Sequence, residues 1–191
     1  MTLAWLLPFL GWSLAFGAAG ALLFAAAAKL AGKVALFRAV PAVFLTLTFA
    51  AMTQHPIPPA GALTCPVPTA APQLEPFHFV GELWARWRAG GLERIMADRL
   101  GPGTAMNFLL PFAIGWALVR AGFGLPRAAL FGLGLAALAE TTQLTGFWGL
   151  RPCAWRQFNL DDLIVNPAGV IAGAWFGLRL SRRSRRARRA P

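Results

Sequence analysis

Residues 161–177 read DDLIVNPAGVIAGAWFG. Wound as an α-helix, this stretch puts Asp162, Asn166, Gly169, Gly173 and Gly177 on one narrow stripe, because positions three and four apart share a face. The lower part, Gly169-x-x-x-Gly173-x-x-x-Gly177, is a small-residue seam of the kind that lets two membrane helices approach to backbone contact. The upper end of the stripe is a carboxylate and an amide, with Asp161 beside them. A charge at the bilayer centre costs on the order of a few kcal/mol, so such groups turn toward protein or trapped water. This one segment predicts a helical membrane bundle, packed through glycine and polar at one end.

Two other segments repeat the pattern. Gly132, Ala136, Glu140 and Gln143 share a stripe, and so do Asn107, Pro111 and Gly115. If the chain runs inward, outward and inward again through these three segments, then Asn107, Glu140, Gln143, Asp161, Asp162 and Asn166 meet at one depth near the outer leaflet. Arg156 precedes the aspartates by a distance that allows it to fold back. Its guanidinium then either bridges carboxylates or holds a phosphate or carboxylate ligand in two-point contact. A purely structural reading stands beside the site reading. Asn159 can cap the last helix, Asp161 and Asp162 suit its positive end, and the amides can hydrogen-bond across helices. Pro167 deprives the Leu163 carbonyl of its usual donor and loosens the helix beside Asn166.

The whole chain fits a membrane protein. Its 191 residues are 57% hydrophobic, with mean hydropathy +0.56 and 13% charged residues, where a soluble domain carries about a quarter charged. Five apolar stretches approach spanning length: 3–28, 34–52, 105–119, 128–146 and 163–180. The expected fold is an all-α integral membrane protein, a five-helix transmembrane bundle with an external amphipathic helix, N-terminus out and C-terminus in. Residues 1–52 hold two helices, 53–104 an external Pro-rich loop and interfacial helix, 105–180 a three-helix core, and 181–191 a basic cytoplasmic tail. The first 28 residues have no Lys or Arg ahead of the apolar run and read as a retained helix, not a cleaved signal peptide.

Orientation follows from the basic residues. Lys29, Lys33, Arg38, Arg120, Arg127 and the tail arginines fall in the segments assigned to the inside, whose two short connections hold no acids. The net charge of +11 is concentrated in Arg182, Arg183, Arg185, Arg186, Arg188 and Arg189. Directly after an apolar segment, that block reads as an anchor on anionic lipid and not as a nucleic-acid site. In the external segment, Phe79, Leu83 and Trp87 recur at helical spacing among arginines, as expected of a helix lying among headgroups, with Gly90 and Gly91 breaking it. Cys65 and Cys153 both fall on the outer, oxidising side, where thiols pair. They are either a disulfide or two unrelated cysteines, since sequence gives no Cα separation.

At these residues the sequence resembles the VanZ-like family of bacterial membrane proteins. The matching pieces are Glu75-Pro76-Phe77, Asn107-Phe-Leu-Leu-Pro111-Phe-Ala-Ile-Gly115, Glu140-Thr-Thr-Gln143, and Arg156-Gln-Phe-Asn-Leu-Asp161-Asp162-Leu-Ile-Val-Asn166-Pro-Ala-Gly169, with Gly173 beyond. They cover about residues 73–177, whereas the first two helices match in hydrophobicity alone. The family commonly carries an acid where this chain has Asn159. The resemblance implies a multi-pass protein of the bacterial cytoplasmic membrane. It also implies a link, through the founding member, to low-level teicoplanin resistance, without implying that this chain confers it.

Two classes of function remain. The first is a non-enzymatic envelope protein whose outer pocket binds a lipid headgroup, an amphiphilic glycopeptide or a partner membrane protein. The second is an intramembrane enzyme acting on a lipid-linked envelope precursor, with Glu140 or an aspartate as general base and Arg156 holding an anionic group. Its carboxylates and amides would also suit Mg²⁺ or Ca²⁺. No metal or cofactor is predicted. A small transporter is less attractive, because no internal repeat is visible. The chain has no Gly-x-Ser-x-Gly, no phosphate loop and no CxxC. Binding ranks first.

Overall fold

The computed structural model describes residues 6–54, 71–97, 100–154 and 156–187. Those residues form six α-helices: α1 (Leu6–Leu30), α2 (Val40–Gln54), α3 (His78–Ala97), α4 (Leu100–Arg120), α5 (Leu125–Leu144) and α6 (Leu160–Ala187). A 3₁₀ helix, Val34–Ala39, leads into α2. Among the described residues there is no strand, only an isolated bridge between Gln73 and Asn159. Four segments are long and apolar enough to cross a membrane: Phe9–Leu30, Val34–Gln54, Leu100–Arg120 and Leu160–Arg182.

Glycine positions the helices. A Cβ on Gly17 would strike Phe44 and Thr48, and one on Gly20 would strike Leu47, so α1 lies flush against α2. On α6, Gly169 lies against the Phe108 carbonyl, Gly173 against that of Phe112, and Gly177 against Trp116 and Val119. The contacts ascend together along both helices, so α4 and α6 run parallel. Gly115 closes the same seam from the other side, against Val170 and Ala174. Two parallel helices separated by one short helix require that helix to return. α5 does so, with Gly132 against the Val170 side chain.

The core is thin for a chain of this size. Phe49, Ile114, Leu118 and Val170 pack with small residues from α2, α4, α5 and α6. Outward-facing Trp12, Leu22, Leu23, Leu30 and Leu130 are each more than 70% exposed. A soluble monomer rarely leaves that much apolar surface bare, whereas hydrocarbon is a fitting solvent for it.

Several boundaries differ from the sequence expectation for physical reasons. The second apolar stretch opens as a 3₁₀ turn because Pro41 has no N–H to close an α-turn onto Phe37; the Val40 N–H bonds to the Phe37 carbonyl instead. α2 continues through Thr53 and Gln54, which the sequence reading left in the loop. α6 continues beyond residue 180 to Ala187, in the direction that lets the negative end of the helix dipole meet basic residues. α3 is broken as expected: Gly90 and Gly91 leave helical geometry, Gly91 with φ 63 and ψ −149.

Candidate functional site

The polar residues of α4, α5 and α6 lie at one end of the bundle, where α2 and α5 finish and α4 and α6 begin. The Thr53 carbonyl marks the point. It accepts a hydrogen bond from Gln143 Nε2 at 3.0 Å and one from Arg156 Nη1 at 2.8 Å. In exchange, Gln54 Nε2 donates to the Ala139 carbonyl at 3.2 Å. The C-terminal carbonyls of α2, orphaned by the end of the helix, thus receive donors from α5 and from the segment before α6.

The carboxylates also act on backbone and amide groups. Glu140 is 1% exposed, and its Oε2 accepts from the Asn159 backbone N–H at 2.8 Å. Asn159 in turn caps α6, its Oδ1 accepting from the Asp161 N–H at 2.9 Å. Asp161 Oδ2 accepts from the Phe79 N–H at 2.8 Å, which ties the start of α3 to the start of α6. Asp162 Oδ1 accepts from Asn107 Nδ2 at 2.8 Å, across the α4–α6 seam. Gln73 completes the frame: its N–H donates to the Phe158 carbonyl at 2.8 Å and its carbonyl accepts from the Leu160 N–H at 2.9 Å. The Arg156 charge acts through space on Glu140 and Asp162, while its hydrogen bond to Thr53 goes to a backbone carbonyl and not to a carboxylate.

Two acceptors on α6 have no partner, and Gln73 Oε1 in the same frame has none either. Asp161 Oδ1 and Asn166 Oδ1 are buried without a hydrogen bond, and both residues are 3% exposed. Among the described residues, no group of three or more His, Cys, Asp or Glu side chains converges in a way that would hold a metal ion.

The α5–α6 connection folds back over this end through a run of positive φ angles at Gly146, Phe147, Trp148 and Gly149. A side-chain-bearing residue pays roughly 1–2 kcal/mol for that conformation. Phe147 and Trp148 are held there by local bonds, including Trp148 Nε1 to Thr142 Oγ1 at 3.1 Å. The same connection carries Cys153, which is disulfide-bonded. Cys65, the only other cysteine in the chain, lies outside the described residues.

Beside the cluster runs an open groove of about 510 Å³ with an almost wholly apolar lining. Phe79, Leu83 and Ile95 of α3 form one wall, and Phe108 of α4 with Ile164 and Ala168 of α6 form the other.

Gln143 and Arg156 meet at the Thr53 carbonyl, and Glu140, Asp161, Asp162 and Asn107 are linked beside them through Asn159, with Asn166 buried one turn below Asp162. The frame also contains Thr53, Gln73 and Phe79, which sequence reasoning did not single out. Their contribution is main-chain N–H or C=O, which leaves no mark in side-chain identity.

No curated protein and no solved structure matches this chain. The profile of the VanZ/LLP1 family matches residues 37–181. That span begins earlier than the motifs read from sequence and takes in α2, whose Thr53 carbonyl is a centre of the polar frame. It also contains every residue of the cluster, and the chain belongs to the VanZ/LLP1 family.

Proposed function

We propose that this chain is a multi-pass protein of the bacterial cytoplasmic membrane whose polar end faces the outer leaflet and binds the headgroup of an amphiphile, lipid-linked or glycopeptide. The carrying observation is the pair of unsatisfied buried acceptors, Asp161 Oδ1 and Asn166 Oδ1. Leaving such an atom without a partner costs about 1–3 kcal/mol, and a ligand that supplies a donor recovers it. One oxygen of each carboxylate is tied to the protein, Glu140 to the Asn159 N–H, Asp161 to the Phe79 N–H and Asp162 to the Asn107 amide, so the cluster is held as a fixed recognition surface. In this reading α5 also crosses the membrane, making five spans. At the opposite end, Arg179 stacks over Trp175 at 4.6 Å, a pairing suited to the headgroup layer, and the arginines beyond it engage anionic lipid on the cytoplasmic side.

The test is lipid retention. The full chain is extracted in native membrane discs and its lipids are quantified, wild type beside Asn166→Leu. That change removes an unsatisfied acceptor, keeps the number and branching of side-chain heavy atoms, and breaks none of the hydrogen bonds above. A headgroup class enriched over bulk membrane in wild type and lost in the variant, with thermal stability kept or raised, is the expected result. Wild type carrying the bulk lipid composition would sink the proposal.

A further inference from the structure

The apolar groove and the Asp161 carboxylate lie side by side. On α6, Asp161 stands three, four and seven residues before Ile164, Val165 and Ala168, so all four share a helix face. The last three line the groove. Asp161 reaches its other wall too, since its Oδ2 holds the N–H of Phe79, a groove residue of α3. Its second oxygen, Oδ1, is buried and unpartnered. The groove therefore lies along a spanning helix beside a buried acceptor at the polar end, separated from it by one helical turn. Its outer wall is α3, a helix whose exposed Trp84 and Trp87 and Arg86 and Arg88 suit the headgroup layer. Its volume lies within the roughly 300–1,000 Å³ usual for ligand sites.

Three properties select the occupant. The lining is apolar at a depth where the surrounding solvent is hydrocarbon, so an extended hydrocarbon chain fits it and a polar solute does not. The groove is open along its side, so a chain enters from the bilayer without leaving it. The group beside it is a hydrogen-bond acceptor, which asks for N–H donors and repels a bare phosphate. Building on the headgroup-binding reading, we infer that the groove between α3 and the α4–α6 pair holds one hydrocarbon chain of a bilayer amphiphile whose headgroup presents N–H donors to Asp161. α3 is then the clasp of a lipid site. Its bend at Gly90–Gly91 brings Leu83 from one half and Ile95 from the other onto the same chain.

The experiment uses the full chain in nanodiscs containing phosphatidylethanolamine with a diazirine in one acyl chain. A parallel sample holds phosphatidylcholine with the same chains, whose headgroup is methyl-capped and has no N–H. After irradiation, labelled residues are mapped by mass spectrometry. Label should concentrate on Leu83, Phe108 and Ile164 over the bare lipid-facing Leu22 and Leu130. Phosphatidylethanolamine should label the groove about tenfold better than phosphatidylcholine, which is ~1.4 kcal/mol, the scale of one charge-assisted hydrogen bond. Ala168→Trp, at an exposed position on one wall, and Leu83→Trp, on the peripheral wall, should each reduce groove labelling; if either fails to fold, the other decides. Asp161→Asn should remove the preference for phosphatidylethanolamine and keep the groove label. Label spread evenly over Leu22, Leu130 and the groove, or unchanged in the filled variants, overturns the groove and leaves headgroup binding at Asn166 standing. Equal groove labelling by the two lipids overturns the donor-bearing headgroup and leaves the acyl groove standing.

Discussion

Glu140 holds the Asn159 N–H, and Asn159 holds the first turn of α6. The carboxylate is thus one step removed from the helix that carries both aspartates. Glu140→Gln keeps an acceptor oxygen of the same reach, while Glu140→Ala leaves a buried N–H unpaired at about 1–3 kcal/mol. In thermal unfolding the alanine variant should melt several degrees below the glutamine variant, at about 2–4 °C per kcal/mol for a chain of this size. Equal melting of the two would mean that the bond contributes nothing. The Asn107–Asp162 pair is tested by a double-mutant cycle with alanine at each position. Hydrogen bonds between membrane helices couple by about 0.6 kcal/mol on average and reach about 1.7; this pair joins an amide to a carboxylate, so coupling in the upper half is expected. A value near zero would place the two side chains apart in solution. These side chains were legible in sequence because an acid or amide inside an apolar segment is rare enough to stand out. The Thr53 carbonyl and the Phe79 N–H were not, since any residue supplies them. Arg156 was legible as a partner of the cluster. Its direct hydrogen bond to Thr53 O was not, because helix-end carbonyls compete with carboxylates for a guanidinium and leave no trace in residue type.

Three glycines separate the reasons an element needs one. Gly173 needs space, because a Cβ there would enter the Phe112 backbone. Gly91 needs conformation: a Cβ meets nothing within 4 Å, yet φ 63 with ψ −149 is open to little besides glycine. Gly134 needs neither, being exposed with nothing within 4 Å. Gly173→Leu should therefore separate α4 from α6 and abolish a monodisperse folded peak in detergent, while Gly134→Leu leaves it unchanged. Gly91→Ala should cost roughly 1–3 kcal/mol of local strain and act on α3 alone, appearing as faster backbone hydrogen exchange in α3 with α4 and α6 unaltered. Exchange spreading through α6 would show that α3 is part of the core and not a clasp on it. The α6 seam was readable because glycines at four-residue spacing have a single geometric consequence. The parallel run of α4 and α6 was expected from the inward, outward, inward threading, but their direct contact was not, because a glycine stripe fixes which face packs and says nothing of which neighbour it meets.

At the scale of the whole molecule, the two ends differ in chemistry. One end gathers Glu140, Asp161, Asp162 and the disulfide-bonded Cys153; the other carries Lys29, Lys33, Arg120, Arg127 and Arg179. A disulfide persists on the oxidising side of a bacterial membrane and is reduced in the cytoplasm, and Lys and Arg in short connections stay cytoplasmic. Two unrelated rules thus support the proposed orientation, polar end out. The proposed crossing of α5 rests on geometry: α4 and α6 run parallel along the contacts from Phe108–Gly169 to Trp116–Gly177, so if both span, the 20 residues of α5 return across the same slab. At 1.5 Å per residue that is about 30 Å, the thickness of a hydrocarbon core. Its composition hides this, because Arg127 and the polar run from Glu140 to Gln143 dilute an otherwise apolar helix. In the proposed orientation both are tolerated, the arginine at the cytoplasmic edge and the polar run buried against α2 and α6. Reporter fusions after Gly122 and after Arg182 should read cytoplasmic, and fusions after Gly149 and after Ala97 exterior. If Gly122 and Gly149 report the same side, α5 does not cross; α6 would then have to enter from the face on which α4 ends, and the parallel seam of Gly169, Gly173 and Gly177 could not form.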